Sequence, residues 1–322
     1  SDNRFEYSAT VQSLEGVGRF VLGLCNEIEI IEPEELKKML KKRWRFSKRP
    51  IVDIFTYLFR IILTQTAMRF KLIFTRTGRS RMLPMDYQYY LSAWIYKVLK
   101  QADAQYATFL HNNGYGRPGD NKLYKLFCYS RLNFGKPVLW KDKRLFEVKN
   151  REAELHISFD VDDAAMNFIK GLFSSQSVYL GDQFNGIDFT VSSVEGLGDP
   201  DFKTEMRYRL RSPWVVSINE DKSIHPQYLY PDHKDFIAYA VKHIKEKYYN
   251  TRMKECGEIA IEDLSEYKKS GFLIKPGTKE ETRVIGSLFD FTLKASPEVH
   301  KMIWNAGLSE KSSNGFGWVE LS

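Results

Sequence analysis

Cysteine and histidine are scarce in this chain. Cys25, Cys128 and Cys256 stand alone in 322 residues, with no C-x-x-C spacing. This argues against a structural zinc and for a reducing compartment. Among the six histidines, His225, His233 and His243 lack metal-ligand spacing and flank a predicted helix. They read as surface or core residues. Long hydrophobic runs are missing too. The candidate segment, Ile51 to Leu63, is shorter than the roughly 20 residues a membrane span needs, and it contains Asp53 and Arg60. The opening residues are polar and lead straight into a strand-like pattern, unlike a secretory signal. A soluble, cytoplasmic protein is the expectation. Charge of one sign does not dominate: 48 Lys and Arg against 41 Asp and Glu give +7 and a pI of about 9.0. That balance leans only weakly toward a polyanionic partner.

Aromatic side chains, by contrast, are plentiful, with 22 Phe and 18 Tyr. Most belong in a core, but aromatics also offer stacking surfaces to unpaired bases. With 43% hydrophobic and 28% charged residues the composition is globular, and the length suits two or three domains.

Residues 5–46 form a pattern of their own. Phe5 to Val11 alternates as a strand, Ser13 can cap a helix through Leu24, and Glu27 to Ile31 is a second strand. Pro33 then opens a helix from Glu34 to Trp44. The basic run Lys41 to Arg49 reads as a solvated helix end, with an accessory RNA contact as the alternative. Residues 50–67 are expected to form an apolar connecting helix. From Met68 the order becomes strand, helix, helix, strands, helix, strand, and then much the same again. Arg69 to Arg76 is a strand, and helices run from Asp86 to Lys100 and from Ala102 to His111. Asp162 caps a helix from about Ala164 to Ser177, and Asp188 to Val194 is a strand. Residues 196–200 are a linker by composition. In the second half a strand near Thr204 to Arg211 precedes a long helix from Pro231 to about Tyr249. Strands at Phe272 to Lys275 and Arg283 to Leu293 lead to a short helix, Pro297 to Ala306. Two consecutive βαββαβ-like halves predict an α+β protein of tandem ferredoxin-like domains, 68–195 and 196–322, with a small βαβα appendage at 1–49 and a connector at 50–67.

The last sixteen residues carry the strongest local signal. Gly307 to Gly317 is a small-residue loop holding Lys311, followed by a short strand. Such a loop can approach a ligand closely and form an anion-binding concavity. It follows a helix C-terminus, which repels anions, so Lys311 and the loop amides have to outweigh that end. Residues 114–119 match G-x-G-x-x-G literally, but they follow a helix and contain Pro118, which excludes a dinucleotide site. Asp160, Asp162 and Asp163 are explained by a strand end and a helix start. Lys242, Lys245, Lys247 and Arg252 read as a solvated helix face, with an RNA-backbone contact as the alternative.

Leu83 to Tyr96, Ala107 to His111 and Tyr124 to Ser130, together with the C-terminal loop, closely resemble the CRISPR-associated endoribonucleases that process repeat-containing precursor RNA. These belong to the RAMP superfamily of tandem ferredoxin-like (RRM-like) folds, and the resemblance spans about residues 68–322. It implies a metal-independent cleavage with no cofactor, a catalytic His111, and assistance from Tyr96 and Lys125. Lys122 is the near alternative to Lys125, because the loop Gly114 to Asp120 makes the spacing uncertain. It also implies RNA contacts through Gly307, Ser309, Lys311, Ser312, Ser313, Asn314, Gly315 and Gly317, and through Lys122, Lys242 and Lys245. Ser309 stands where the family has glycine. CRISPR repeat RNA is the implied partner, with effector-complex subunits as further candidates and monomer or homodimer left open. The side chains suit the chemistry. The 2′-OH of RNA must be deprotonated, the phosphorane steadied and the leaving 5′-oxygen protonated. A histidine can serve as base or acid, a lysine can balance phosphorane charge, and a tyrosine can orient the 2′-OH. The alternative from the same resemblance is a relative that holds RNA without cutting it. Arg19 to Leu36 separately resembles the C-terminal extension of WYL-domain transcriptional regulators, which makes a regulatory protein the remaining alternative.

Overall fold

The computed structural model describes residues 5–11, 28–32, 34–35, 57–63, 68–117, 122–218 and 226–322. In the strand Arg69–Arg76, Phe70, Leu72 and Phe74 are buried while the alternate side chains lie on the other face, as a half-buried strand requires. This strand is central in a five-stranded antiparallel sheet. Across the sheet the order is Ser177–Gly181, Gly186–Leu197, Arg69–Arg76, Glu152–Phe159, Phe127–Tyr129. Helix α1 (Tyr87–Ala102) is followed at once by α2 (Ala104–Asn112), whose N-cap Asp103 accepts from Tyr106 N–H at 2.9 Å. Helix α3 (Asp162–Ser174) packs beside α1 over the same core. Gly171 permits this approach, since a Cβ there would meet Val98 O at 2.0 Å. Leaving aside the outer hairpin strand Ser177–Gly181, the strands stand in the order 4-1-3-2 of a ferredoxin-like βαββαβ unit.

The second half repeats the arrangement. Its four-stranded sheet runs Ala260–Glu262, Asp290–Lys294, Glu205–Leu210, Val319–Leu321, the same order read from the other edge. Helices α4 (Phe236–Arg252) and α5 (Pro297–Ala306) cover it, around Tyr208, Phe236, Ile244, Phe291 and Ile303. A hairpin, Lys268–Ile274 with Thr282–Leu288, projects between the third and second strands of this unit.

Arg69 staples the halves together. Its guanidinium lies 3.6 Å from the Trp304 ring centroid and 3.7 Å from that of Trp318, and donates to Val319 O at 2.7 Å. Burial lowers its pKa to about 9, so it remains a cation at neutral pH.

Four sequence expectations need correction. Residues 50–67 do not form a helix throughout, because Tyr57–Leu63 is a strand between Phe5–Val11 and Ile28–Glu32 in a three-stranded antiparallel sheet. A mostly apolar run fits either element, and pairing decided it. Asp162 is not the cap of α3, since Val161 holds that place and Asp162 and Asp163 lie in the first turn. The long helix begins at Phe236 rather than Pro231. Arg283 to Leu293 divides into two strands at Phe289. The expected helix through Leu24 and the basic run Lys41 to Arg49 lie outside the described residues, and of the expected helix from Glu34 only Glu34 and Glu35 are described.

Candidate active site

Four residues of α1 at helical spacing, Ala93, Tyr96, Lys97 and Lys100, form one wall of a cleft of about 320 Å³. Ala107, Thr108, His111 and Asn112 of α2 form the other. His111 sits in the last turn of α2, exposed, with its ring edge-on to Tyr96 at 5.3 Å between centroids. Its Nδ1 is 3.0 Å from Asn112 Oδ1. With that oxygen accepting, Nδ1 carries the proton and Nε2 keeps its lone pair for another partner. The Tyr96 ring also packs on Phe127 of the central core, at 5.7 Å. Burial pushes the Tyr96 hydroxyl up to about 12, with the Ser313 hydroxyl pulling the other way. Near neutral pH this group is a neutral hydrogen-bonding hydroxyl.

Lys125 joins this cleft to the next. Its Nζ donates to His111 O at 2.8 Å, satisfying a carbonyl at the end of α2. The same side chain lines an adjoining cavity of about 210 Å³ with Lys247, Ser309, Lys311, Ser313 and Asn314. Burial lowers the Lys125 pKa. Lys122 faces elsewhere, donating to Glu246 on α4 at 2.6 Å.

The glycine-containing loop of the second half is docked onto the first. Ser92 Oγ donates to Ser313 O at 3.0 Å, and Cys128 Sγ to Phe316 O at 3.3 Å. Gly307 (φ +72°) and Gly315 (φ +84°) occupy the left-handed region, and a Cβ would meet Cys128 Sγ at 2.7 Å in the first and the Tyr129 ring at 2.5 Å in the second. These glycines let the loop touch the first sheet. Intrachain bonds take up the N–H groups of Gly307, Leu308, Lys311, Asn314, Gly315 and Gly317. The open row of amides expected from the sequence is therefore largely turned inward. Gly307, Ser309, Ser312, Gly315 and Gly317 are buried, while Lys311 is exposed and Ser313 and Asn314 are half-buried. Ser309, the departure from the family pattern, has its Oγ engaged within the chain, accepting from Val215 N–H at 3.1 Å and from Lys311 N–H at 3.3 Å.

Sequence reasoning misplaced Lys247. Only 3% exposed, it is no part of a solvated face. Its Nζ donates to Ala306 O at 2.8 Å and Gly307 O at 2.7 Å, at the C-terminus of α5. The cation thus caps the helix end that would repel an anion. Burial lowers its pKa to about 8, against the favourable influence of the Asp160 carboxylate. Asp160, raised to about 6 chiefly by burial, also bonds Arg252. The signal was present in the sequence: Lys247 falls on the apolar stripe of Phe236, Ala240, Ile244 and Tyr248. Lys242 and Lys245 are exposed on the outer side of α4. Lys242 joins Lys122 around a separate cleft, and Lys245 lies apart from both.

Comparison with known proteins places these features in context. Residues 82–195 match the family "CRISPR-associated protein Cas6, N-terminal", and residues 197–321 match "CRISPR associated protein Cas6, C-terminal". The CRISPR-associated endoribonuclease Cas6 1 of Methanocaldococcus jannaschii is 24% identical over 246 residues, covering 76% of this chain and 89% of that protein. The CRISPR-associated endoribonuclease Cas6 of Pyrococcus furiosus is 26% identical over 258 residues, covering 79% and 90%. A solved structure of a Cas6-related gene product from Pyrococcus furiosus superposes with a TM-score of 0.68 at 20% identity, over 80% of this chain and 98% of that one. A RAMP protein described as binding different RNA substrates gives 0.66 at 20% identity, over 79% and 99%. Both share the fold.

Proposed function

The chain belongs to the CRISPR-associated Cas6 family, and we propose that it cleaves CRISPR repeat RNA without a metal, through attack of a 2′-OH on the adjacent phosphate. The carrying observation is Lys125, which holds the carbonyl of His111 while facing the loop cavity, so that one lysine links the histidine to the place where a phosphate would rest. In this reading residues 68–195 supply the cleaving groups, residues 196–322 supply the loop, and residues 1–49 are an appendage to a cytoplasmic enzyme.

The 2′-oxygen forms a bond to phosphorus as its proton leaves, and the bond to the 5′-oxygen breaks as that oxygen gains a proton. His111 is the group that moves protons. The neutral Tyr96 hydroxyl orients the reacting oxygen. Lys125 balances charge that grows on the phosphorane, and Lys311 with Ser313 holds the flanking backbone. The products are a 2′,3′-cyclic phosphate and a 5′-hydroxyl. The test is cleavage of repeat RNA in EDTA beside an RNA with a 2′-deoxy nucleotide at the cut. Cleavage of the first alone, with cyclic phosphate on the 5′ product, is expected. Cleavage of the deoxy substrate, or loss of cleavage in EDTA, would sink the mechanism, and binding without cleavage would leave an RNA-holding protein.

Lys247 supplies a pH signature. Its folded-state value of about 8 lies below the ordinary 10.5. Between those values the unfolded chain binds more protons, so this group makes stability rise with pH from about 8 to 10.5. RNA affinity should change in the opposite sense, because deprotonation removes a cation from the cavity. A unit charge about 8 Å from a phosphate at an effective dielectric of 20 contributes about 2 kcal/mol, so Lys247→Met is expected to weaken binding about 30-fold at pH 7. Titration of binding by anisotropy should show an alkaline fall near pH 8 that is larger in the wild type than in the variant. Equal pH profiles would remove Lys247 from this role.

A further inference from the structure

A strongly basic region lies outside the candidate active site. Residues 76–84 and 134–151 hold nine Lys and Arg against two Asp and Glu, a net +7 that equals the formal charge of the whole protein. The fold gathers these segments into one surface. Met82–Pro84, Leu145–Glu147 and Val138–Trp140 form a three-stranded antiparallel sheet in that order. Val148 N–H donates to Arg81 O, and Arg76 N–H to Arg151 O, both at 2.8 Å. Arg79, Arg81, Lys136, Lys141, Lys143 and Arg151 are all exposed. Arg76 feels the crowding, since burial first and then the charges of Arg81 and Arg151 lower its pKa. Of the nearby carboxylates, Asp142 is exposed between Lys141 and Lys143, while Asp86 and Glu147 are engaged. Asp86 bonds Arg144 and Leu273 N–H at 2.8 Å each, and Glu147 accepts from Trp140 Nε1 at 3.3 Å.

Amid this charge lies an apolar edge. Val138, Leu139 and Trp140 are 38%, 46% and 43% exposed, on the end strand of their sheet. Lys143 Nζ sits 5.3 Å from the centroid of the Trp140 ring. An exposed ring set among lysines suits a chain of alternating phosphates and flat bases. Like-charged neighbours with so few carboxylates also favour a polyanion over a protein strand on that edge. The sheet lies at the start of α1, because Arg144 holds Asp86, and Tyr96 is ten residues or about 15 Å further along that helix.

We propose that this sheet is a second RNA-binding surface, on which an unpaired segment flanking the cleaved repeat stacks a base on Trp140 and lays its backbone across Lys136, Lys141 and Lys143. The inference rests on the RNA-cleavage reading above and extends it to substrate length.

The test compares two non-cleavable repeat RNAs, each with 2′-deoxy at the cut. One is trimmed to the nucleotides around that position, and the other carries single-stranded extensions on both sides. Full-length wild type should bind the extended RNA more tightly. Trp140→Ala should erase about tenfold of that gain, in keeping with stacking energies of single bases, whereas Trp140→Phe keeps most of it. Lys136→Glu combined with Lys141→Glu and Lys143→Glu should lower the salt-dependence slope by about 2, at roughly 0.7 per phosphate contact on a single strand. Affinity for the trimmed RNA, and the rate at which its cleavable version is cut, should not move. Variants that bind extended RNA as the wild type does would overturn the inference, including the case in which the free strand edge takes a protein partner. Equal loss for both RNAs would also overturn it. Wild type that binds neither RNA overturns the cleavage reading as well, so the two failures are distinguishable.

Discussion

Replacing His111 with alanine is expected to lower the single-turnover cleavage rate about 10²–10⁴-fold, the usual contribution of a positioned proton-transfer group. The side chain is exposed in the last turn of α2, and its contacts among the described residues are the Asn112 amide and the edge of Tyr96. Its removal therefore opens no core cavity, and stability should change by less than about 0.5 kcal/mol. Binding of 2′-deoxy repeat RNA should stay within about twofold of wild type, because the cations that line the loop cavity, Lys125, Lys247 and Lys311, are untouched. A rate loss without an affinity loss is the pattern of a group that acts only in the transition state. An unchanged rate would take His111 out of the chemistry. A matched fall in melting temperature would make it a structural residue of the α2 terminus.

The sequence was most readable where one face of an element is buried. Phe70, Leu72 and Phe74 alternate cleanly, and the short helix expected from Pro297 to Ala306 has those bounds. Tyr57–Leu63 was misread because its apolar residues, interrupted by Arg60, show no period that separates strand from helix. The site was legible in part, through local motifs. Tyr96 and His111 lie on consecutive helices, and Lys125 follows within one loop, so their meeting needs little tertiary information. Contacts across the chain were hidden. Arg69 between Trp304 and Trp318 spans some 235 residues, and no spacing rule reaches that far. Lys247 was missed for a different reason. A lysine on a helix is ordinarily solvated, and two carbonyls at another helix's end, with the Asp160 carboxylate, make its burial tolerable. The loop glycines announced themselves as a ligand cradle, yet much of their use is to let the loop lie against Cys128 and Tyr129.

The choice between the two lysines separated by three residues yields the second large effect. Lys125→Ala is expected to cost about 10²–10³ in cleavage rate, as loss of one oxyanion-stabilising donor typically does, while Lys122→Ala should cost less than about threefold. Geometry divides them. Lys125 is half-buried, bonded to His111 O, and borders the loop cavity. Lys122 is exposed and held by Glu246 on α4, an ion pair of the surface kind that contributes about 0–1 kcal/mol. Lys125→Ala also frees the terminal carbonyl of α2, so a part of its loss could come from a displaced His111. Lys125→Arg separates the two contributions: it keeps a cation and a donor but cannot superpose a planar fork on a point charge. Recovery of binding with most of the rate still missing would show that the ammonium's position on the phosphorane matters, whereas full recovery of rate would mean that charge alone suffices. Reversed ranking, with Lys122→Ala the more damaging, would require Lys122 to leave Glu246 when RNA arrives. Breaking the Glu246 pair by Glu246→Gln would then accelerate cleavage, and under the geometry described here it should leave the rate unchanged.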